Sequence, residues 1–185
     1  MLQDPGGREP APEPLRLVQQ FVNTLDIENG VEELSSPAGL REMLERLGLL
    51  DGHSCTSTDL RHALEVREAL RRVLLANNGA EVDPESARAL ERAAERARLT
   101  VRFASGRGTA LVPQASGVDG ALGRVLAVVH DAQASGTWER LKACRRDVCH
   151  WAFFDRSKNR SGTWCAMSVC GNRTKKRRAY RRRTA

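Results

Sequence analysis

Cys144-Arg-Arg-Asp-Val-Cys149-His-Trp-Ala-Phe-Phe-Asp-Arg-Ser-Lys-Asn-Arg160, followed by Trp164-Cys-Ala-Met-Ser-Val-Cys-Gly-Asn-Arg173, places four of the five cysteines within 27 residues as two Cys-x4-Cys pairs. Zinc takes four tetrahedral thiolate or imidazole ligands, and two short-spaced pairs on separate turns supply that set as Cys144, Cys149, Cys165 and Cys170. Residues 151–155 read as a strand and residues 157–162 as a polar turn. The second pair then runs into a helical basic stretch. Knuckle, hairpin and helix in that order predict a small treble-clef-like zinc module at the C-terminus.

A segment of about 45 residues cannot bury an adequate apolar core by itself. Metal binding, worth roughly 10–16 kcal/mol of apparent folding free energy in small zinc modules, would make up the deficit. Trp151, Phe153, Phe154 and Trp164 are expected to pack around the ion. Two disulfides would need an oxidising compartment, and a redox pair would normally show Cys-x-x-Cys spacing, so both are disfavoured. An iron–sulfur cluster also takes four thiolates and stays as the competing occupant. Four thiolates leave no open coordination position, which points to a structural rather than a catalytic metal. His150 competes weakly as a ligand, and Cys55, beside His53, reads as an isolated small thiol.

Charge is distributed very unevenly. From Leu141 to Ala185 there are 14 Lys/Arg against 2 Asp, whereas the other residues carry a net charge of −5 within an overall +7. Such asymmetry predicts a basic end with a polyanionic partner, DNA first and RNA second. On a helix, Arg173, Lys175, Lys176, Arg177, Arg178, Arg181 and Arg182 repel one another until phosphates neutralise them. Arg156, Lys158 and Arg160, in the turn between the cysteine pairs, are candidates for a second line of phosphate contacts. A solvated basic tail without a specific partner is the plainer reading of the same residues.

Everything before the cysteines reads differently. Residues 1–14 hold four of the seven prolines and predict a disordered leader. Apolar spacing then predicts a helix from Leu15 to Leu25, a second after Ser35 or Ser36 with Pro37 in its first turn, and a third after Thr58 or Asp59. A fourth helix starts at Asp83-Pro84. A hairpin pairs residues 99–104 with 109–112, and Asp119 opens a last helix. The fold class expected is therefore mainly α with one β-hairpin (α+β) over residues 15–136, joined at Gly136-Thr137 to the zinc module of residues 137–185. No run of 18 apolar residues occurs and the N-terminus lacks a secretory signal. A cytoplasmic, nucleoid-associated protein is the expectation, and the Ala/Arg-rich composition fits a GC-rich bacterial genome.

The two cysteine pairs with Cys170-Gly-Asn-Arg173 closely resemble the CGNR zinc-finger family. Phe21-Val-Asn-Thr-Leu-Asp26 and Val66-Arg-Glu-Ala-Leu-Arg71 resemble the stress-induced transcription regulator (ABATE-type) domain fused to it. The resemblance spans about residues 15–183 and implies zinc on Cys144, Cys149, Cys165 and Cys170, together with a DNA-binding, transcription-regulating role. Ser161-Gly-Thr163 departs from the more basic sequence usual in the family. The N-terminal domain is suspected of sensing a signal, so Asn23, Thr24 and Arg67 are candidates for a small-molecule effector site or for a buried hydrogen-bond network. A homodimer is a further candidate assembly. An enzyme with its pocket in the helical domain is the rival class, but there is no phosphate loop, His-Glu metal pattern or Ser/His/Asp set. RNA binding would need Trp151, Phe153 or Trp164 exposed for base stacking.

Overall fold

The computed structural model describes residues 2, 4, 6–50, 52–103, 108–176 and 180. Five helices form the larger part: α1 (Leu15–Val22), α2 (Pro37–Arg46), α3 (Ser57–Ala76), α4 (Pro84–Ala97) and α5 (Gly117–Ala134). Three antiparallel two-stranded ladders accompany them: β1 (Leu25–Asp26) with β2 (Val31–Glu32), β3 (Leu99–Phe103) with β4 (Thr109–Pro113), and β5 (Leu141–Ala143) with β6 (Ala152–Phe154).

Local chemistry sets the helix starts. Ser36 Oγ accepts from Gly39 N at 3.1 Å with Pro37 behind it, and Asp83 caps α4 ahead of Pro84. The α3 start differs from the expected one. Thr56 is the cap, and Asp59 is its partner in a capping box, its carboxylate accepting the Thr56 N–H at 2.8 Å. The first helix ends at Val22 rather than Leu25, because Asn23 and Thr24 turn their side chains to backbone groups. The chain then pairs Leu25 with Glu32 in the small β1–β2 ladder, an addition to the single hairpin expected.

Helix α3 lies at the centre and touches α1, α2, α4, α5 and β5. Its partner α4 presents Ala89, Ala93 and Ala97, small enough to let the helices approach. A Cβ at Gly123 of α5 would stand 2.6 Å from Ala97 Cβ and 2.8 Å from Pro113 Cβ, so only glycine permits the α5 contact with α4 and β4. Phe21, Leu40, Met43, Leu44, Leu70, Leu74 and Leu122 are fully buried, each large side chain contributing roughly 1.5–3 kcal/mol. The core does not stop at Gly136. Trp138, Leu141, Ala143, Ala152 and Phe154 belong to the same cluster as the helices, so β5–β6 packs on the helical layer.

The prolines at residues 1–14 predict a disordered leader, yet its described residues carry specific contacts. Ala11 is buried and its N–H meets Gln19 Oε1 at 2.7 Å, while Asp4 accepts from Trp151 Nε1 at 3.1 Å. Short polar anchors on both parts of the protein explain how so proline-rich a segment is held.

Candidate metal centre and nucleic-acid interface

Strand β5 ends at Ala143, and the chain turns at once through Cys144–Cys149. Cys144 N–H donates to Trp151 O at 3.0 Å and Cys149 N–H to Arg146 O at 2.8 Å. His150 sits at φ 47°, closing the knuckle and delivering the chain to β6. The second pair lies on a π-helical turn, Met167–Gly171, entered from Cys165. The four sulfurs lie within 4.8 Å of one another, with Cys149–Cys165 at 3.7 Å and Cys165–Cys170 at 3.5 Å. All four cysteines are buried and none forms a disulfide.

Tetrahedral zinc bonded to four thiolates at about 2.3 Å requires sulfur–sulfur separations of about 3.8 Å. The cysteines fit that requirement. A disulfide needs about 2.05 Å between sulfurs, and a multi-iron cluster needs far more room than this cage encloses. The electrostatics agree. Hydrogen bonds from Cys149 and Cys165 hold the Cys144 thiol far below its ordinary range, and the same contacts with Cys144 push Cys149 and Cys165 well above theirs. Four thiolates cannot coexist in this space without a cation between them. His150 is not in the set. Burial, then the nearby Arg71 charge, lowers its pKa and favours the neutral ring.

The surrounding shell corrects one expectation. Trp151 and Phe153 pack on the cysteines with Trp164 half-buried beside them, but Phe154 faces the other way into the helical core. The alternation of β6 sends neighbours to opposite faces, so Phe153 and Phe154 could not both line the ion. Arg146 Nη1 lies 3.8 Å from Cys170 Sγ. Gly171 is buried, and a Cβ there would collide with Met167 Sδ and approach the Trp164 ring, which accounts for glycine after the last ligand.

The basic turn, residues 156–162, is organised by a pair that sequence reasoning missed. Lys142 is 4% and Asp155 1% exposed. Lys142 Nζ donates to Asp155 Oδ2 at 2.8 Å, to Gly162 O at 3.2 Å and to Arg160 O, while Asp155 accepts from Ser157 N at 3.0 Å and Gly162 N at 2.7 Å. Burial alone would raise the Asp155 pKa, but these hydrogen bonds outweigh it and hold the carboxyl well below the usual range. The alternation of Leu141-Lys-Ala143 was the only available signal, and the surrounding positive charge obscured it.

The basic residues expected at phosphates fall into three groups. Arg156 meets Glu9 at 3.1 Å and Pro10 O, Arg160 meets Glu139 at 3.1 Å, and Arg173 bonds Glu28. Lys158, Lys175 and Lys176 are exposed with no partner among the described residues. Arg177, Arg178, Arg181 and Arg182 lie outside the described residues. Glu28, in the β1–β2 turn, takes Arg146 at 2.7 Å on its other oxygen, and nothing in the sequence announced that bridge.

Asn23, Thr24 and Arg67 are engaged within the protein. Asn23 brackets Ala152, donating to its carbonyl at 2.9 Å and accepting its N–H at 2.8 Å. Arg67 grips both Glu32 oxygens at 2.6 and 2.8 Å and donates to Thr24 at 3.1 Å. Arg71 continues the network, reaching Val22 O at 2.7 Å and the His150 carbonyl of the knuckle at 3.2 Å.

Residues 15–142 match the family model described as "Putative stress-induced transcription regulator" (ABATE), and residues 140–183 match the CGNR zinc finger. The chain belongs to the ABATE family and carries a CGNR zinc finger at its C-terminal end. Its four-cysteine cage is the zinc-binding part of that finger. No curated protein matches the chain. No helix among the described residues is long and apolar enough to cross a membrane.

Proposed function

We propose that the protein is a zinc-dependent, DNA-binding transcription regulator of the bacterial cytoplasm, acting at the nucleoid. Residues 15–136 receive a signal, and residues 137–185 meet the nucleic acid. The observation that carries this reading is the position of Cys170, a buried ligand three residues before Arg173 opens the basic stretch: the ion anchors the root of a cationic helix. Zinc supplies folding free energy here and no chemistry on a substrate.

The protein's own residues divide the remaining work. Lys142 and Asp155 hold the 156–162 turn, Lys158 projects from it, and Lys175 and Lys176 extend the cationic line along the helix. Duplex DNA is preferred over single-stranded RNA because two of the three rings that could stack on bases, Trp151 and Phe153, are buried against the cysteines and the third, Trp164, is half-buried. The test is binding of zinc-loaded protein to a duplex across a salt series. Replacing Lys158, Lys175 and Lys176 together by Ala should reduce the slope of log affinity against log salt by about 2–3. A wild-type protein with no affinity for duplex DNA at low salt overturns the reading.

A further inference from the structure

The leader, α1 and Trp151 beside the zinc knuckle border a half-open cavity of about 290 Å³ that no part of the nucleic-acid reading uses. Two arginines line it, Arg8 from the leader and Arg16 from α1, and both are half-buried. Among the described residues, the other buried or half-buried arginines all donate to an acceptor. Arg41 reaches Glu45, Arg67 reaches Glu32, Arg71 reaches Val22 O, Arg140 reaches Asp155 O and Arg146 reaches Glu28. Arg8 and Arg16 alone have no hydrogen-bond acceptor for their guanidinium groups among the described residues. Their guanidinium nitrogens are not sealed from solvent, so water takes their hydrogen bonds until an anion displaces it, and the pair forms a ready cationic lining.

The rest of the wall narrows the class of that anion. Its two carboxylates are already engaged, Asp4 by Trp151 Nε1 at 3.1 Å and Glu33 by Arg46 at 2.7 Å. The amides of Gln19 and Asn23 are held by the Ala11 and Ala152 backbone. What the cavity offers is therefore an excess of positive charge, two arginines against an Asp4 carboxylate whose indole partner is neutral, together with the Gln20 side chain and an apolar surface made by Leu2, Pro10 and Trp151. Phe153 carries Arg8 on its ring face, 4.9 Å from the centroid, and so orients that group before any ligand arrives. Planar guanidinium groups pair in bidentate fashion with carboxylates, the indole and aliphatic wall suits a flat ring, and the volume has room for a single-ring acid.

We propose that this cavity is a binding site for a small aromatic carboxylate, with Arg8 and Arg16 holding the carboxylate and Trp151 facing the ring. Such a ligand touches the leader, α1 and the zinc knuckle at once. The inference does not depend on DNA binding, and its test contains no nucleic acid.

Benzoate is titrated into full-length, zinc-loaded protein and followed by tryptophan fluorescence and by the shift in thermal midpoint. Saturable binding with a raised midpoint is expected, and benzyl alcohol, which keeps the ring and lacks the charge, should not bind. Arg16→Ala and Arg8→Ala should each weaken binding roughly tenfold or more, the loss typical of one charged hydrogen-bonding partner. Arg16→Gln, which keeps the length and removes the charge, should weaken it similarly. Zinc content and the ligand-free midpoint show that each variant is folded, and Trp151→Phe should remove most of the fluorescence response while leaving the midpoint shift. No saturable binding of benzoate, equal binding in all three arginine variants, or inorganic phosphate binding as tightly as benzoate each overturns the proposal.

Discussion

Glu28 holds two arginines of unequal exposure. Its carboxylate bonds Arg146, whose side chain is 18% exposed, and Arg173, which is 55% exposed at the start of the basic stretch. The inner bond belongs to the frame of the knuckle. The outer one is an exposed pair, worth roughly 0.2–1 kcal/mol, and a phosphate can replace it. Glu28→Gln should therefore raise duplex affinity at low salt by about two- to fivefold, and the gain should vanish in an Arg173→Ala background. Electrophoretic mobility of a labelled duplex measures both. A different logic governs Lys142 and Asp155, which are both buried. Lys142→Ala strands a carboxylate inside the module and should cost about 3–5 kcal/mol in urea unfolding. Because the Asp155 pKa is depressed on folding, its stabilisation is fully present above the unfolded carboxylate range. It is lost as pH falls through the lower folded value. A stability profile from pH 7 to pH 3 on Asp155→Asn should lack the acid-limb contribution of that group.

At the scale of elements, short-range chemistry decides the helix starts and long-range contact decides where some elements end. Asp59 looked like a cap because acids favour helix starts, but the cap is Thr56, with Asp59 returning a hydrogen bond from three residues on. Thr56→Ala should destabilise the protein by about 1 kcal/mol, readable as a lower thermal midpoint without loss of zinc. Periodicity alone carried α1 on to Leu25, whereas Asn23 leaves the helix to bracket Ala152, 129 residues away. The expected hairpin of β3 and β4 was visible as alternation. The two-residue ladder of β1 and β2 was not, since so short a pairing leaves no pattern. Its significance lies in the turn that presents Glu28 to the knuckle.

Taken whole, the molecule couples its metal centre to its helical core through one small sheet. Leu141, Ala143, Ala152 and Phe154 face the helices, while Cys144 and Phe153 face the metal cage. Stripping zinc with a chelator, or making Cys165→Ser, should therefore lower the thermal midpoint of helix unfolding measured by circular dichroism. An unchanged helical midpoint would show that the two parts are energetically separate. The ligand set, the helical class, the caps at Ser36 and Asp83 and the charge asymmetry were legible in the chain itself, because each rests on residue type at fixed short spacing. Tertiary structure alone decided the Lys142–Asp155 clamp, the Glu28 bridge, the docking of the leader and the convergence of Arg8 and Arg16 on one cavity. In each of these the partners lie on separate segments, and whether a charge is buried or exposed follows only from how the elements pack.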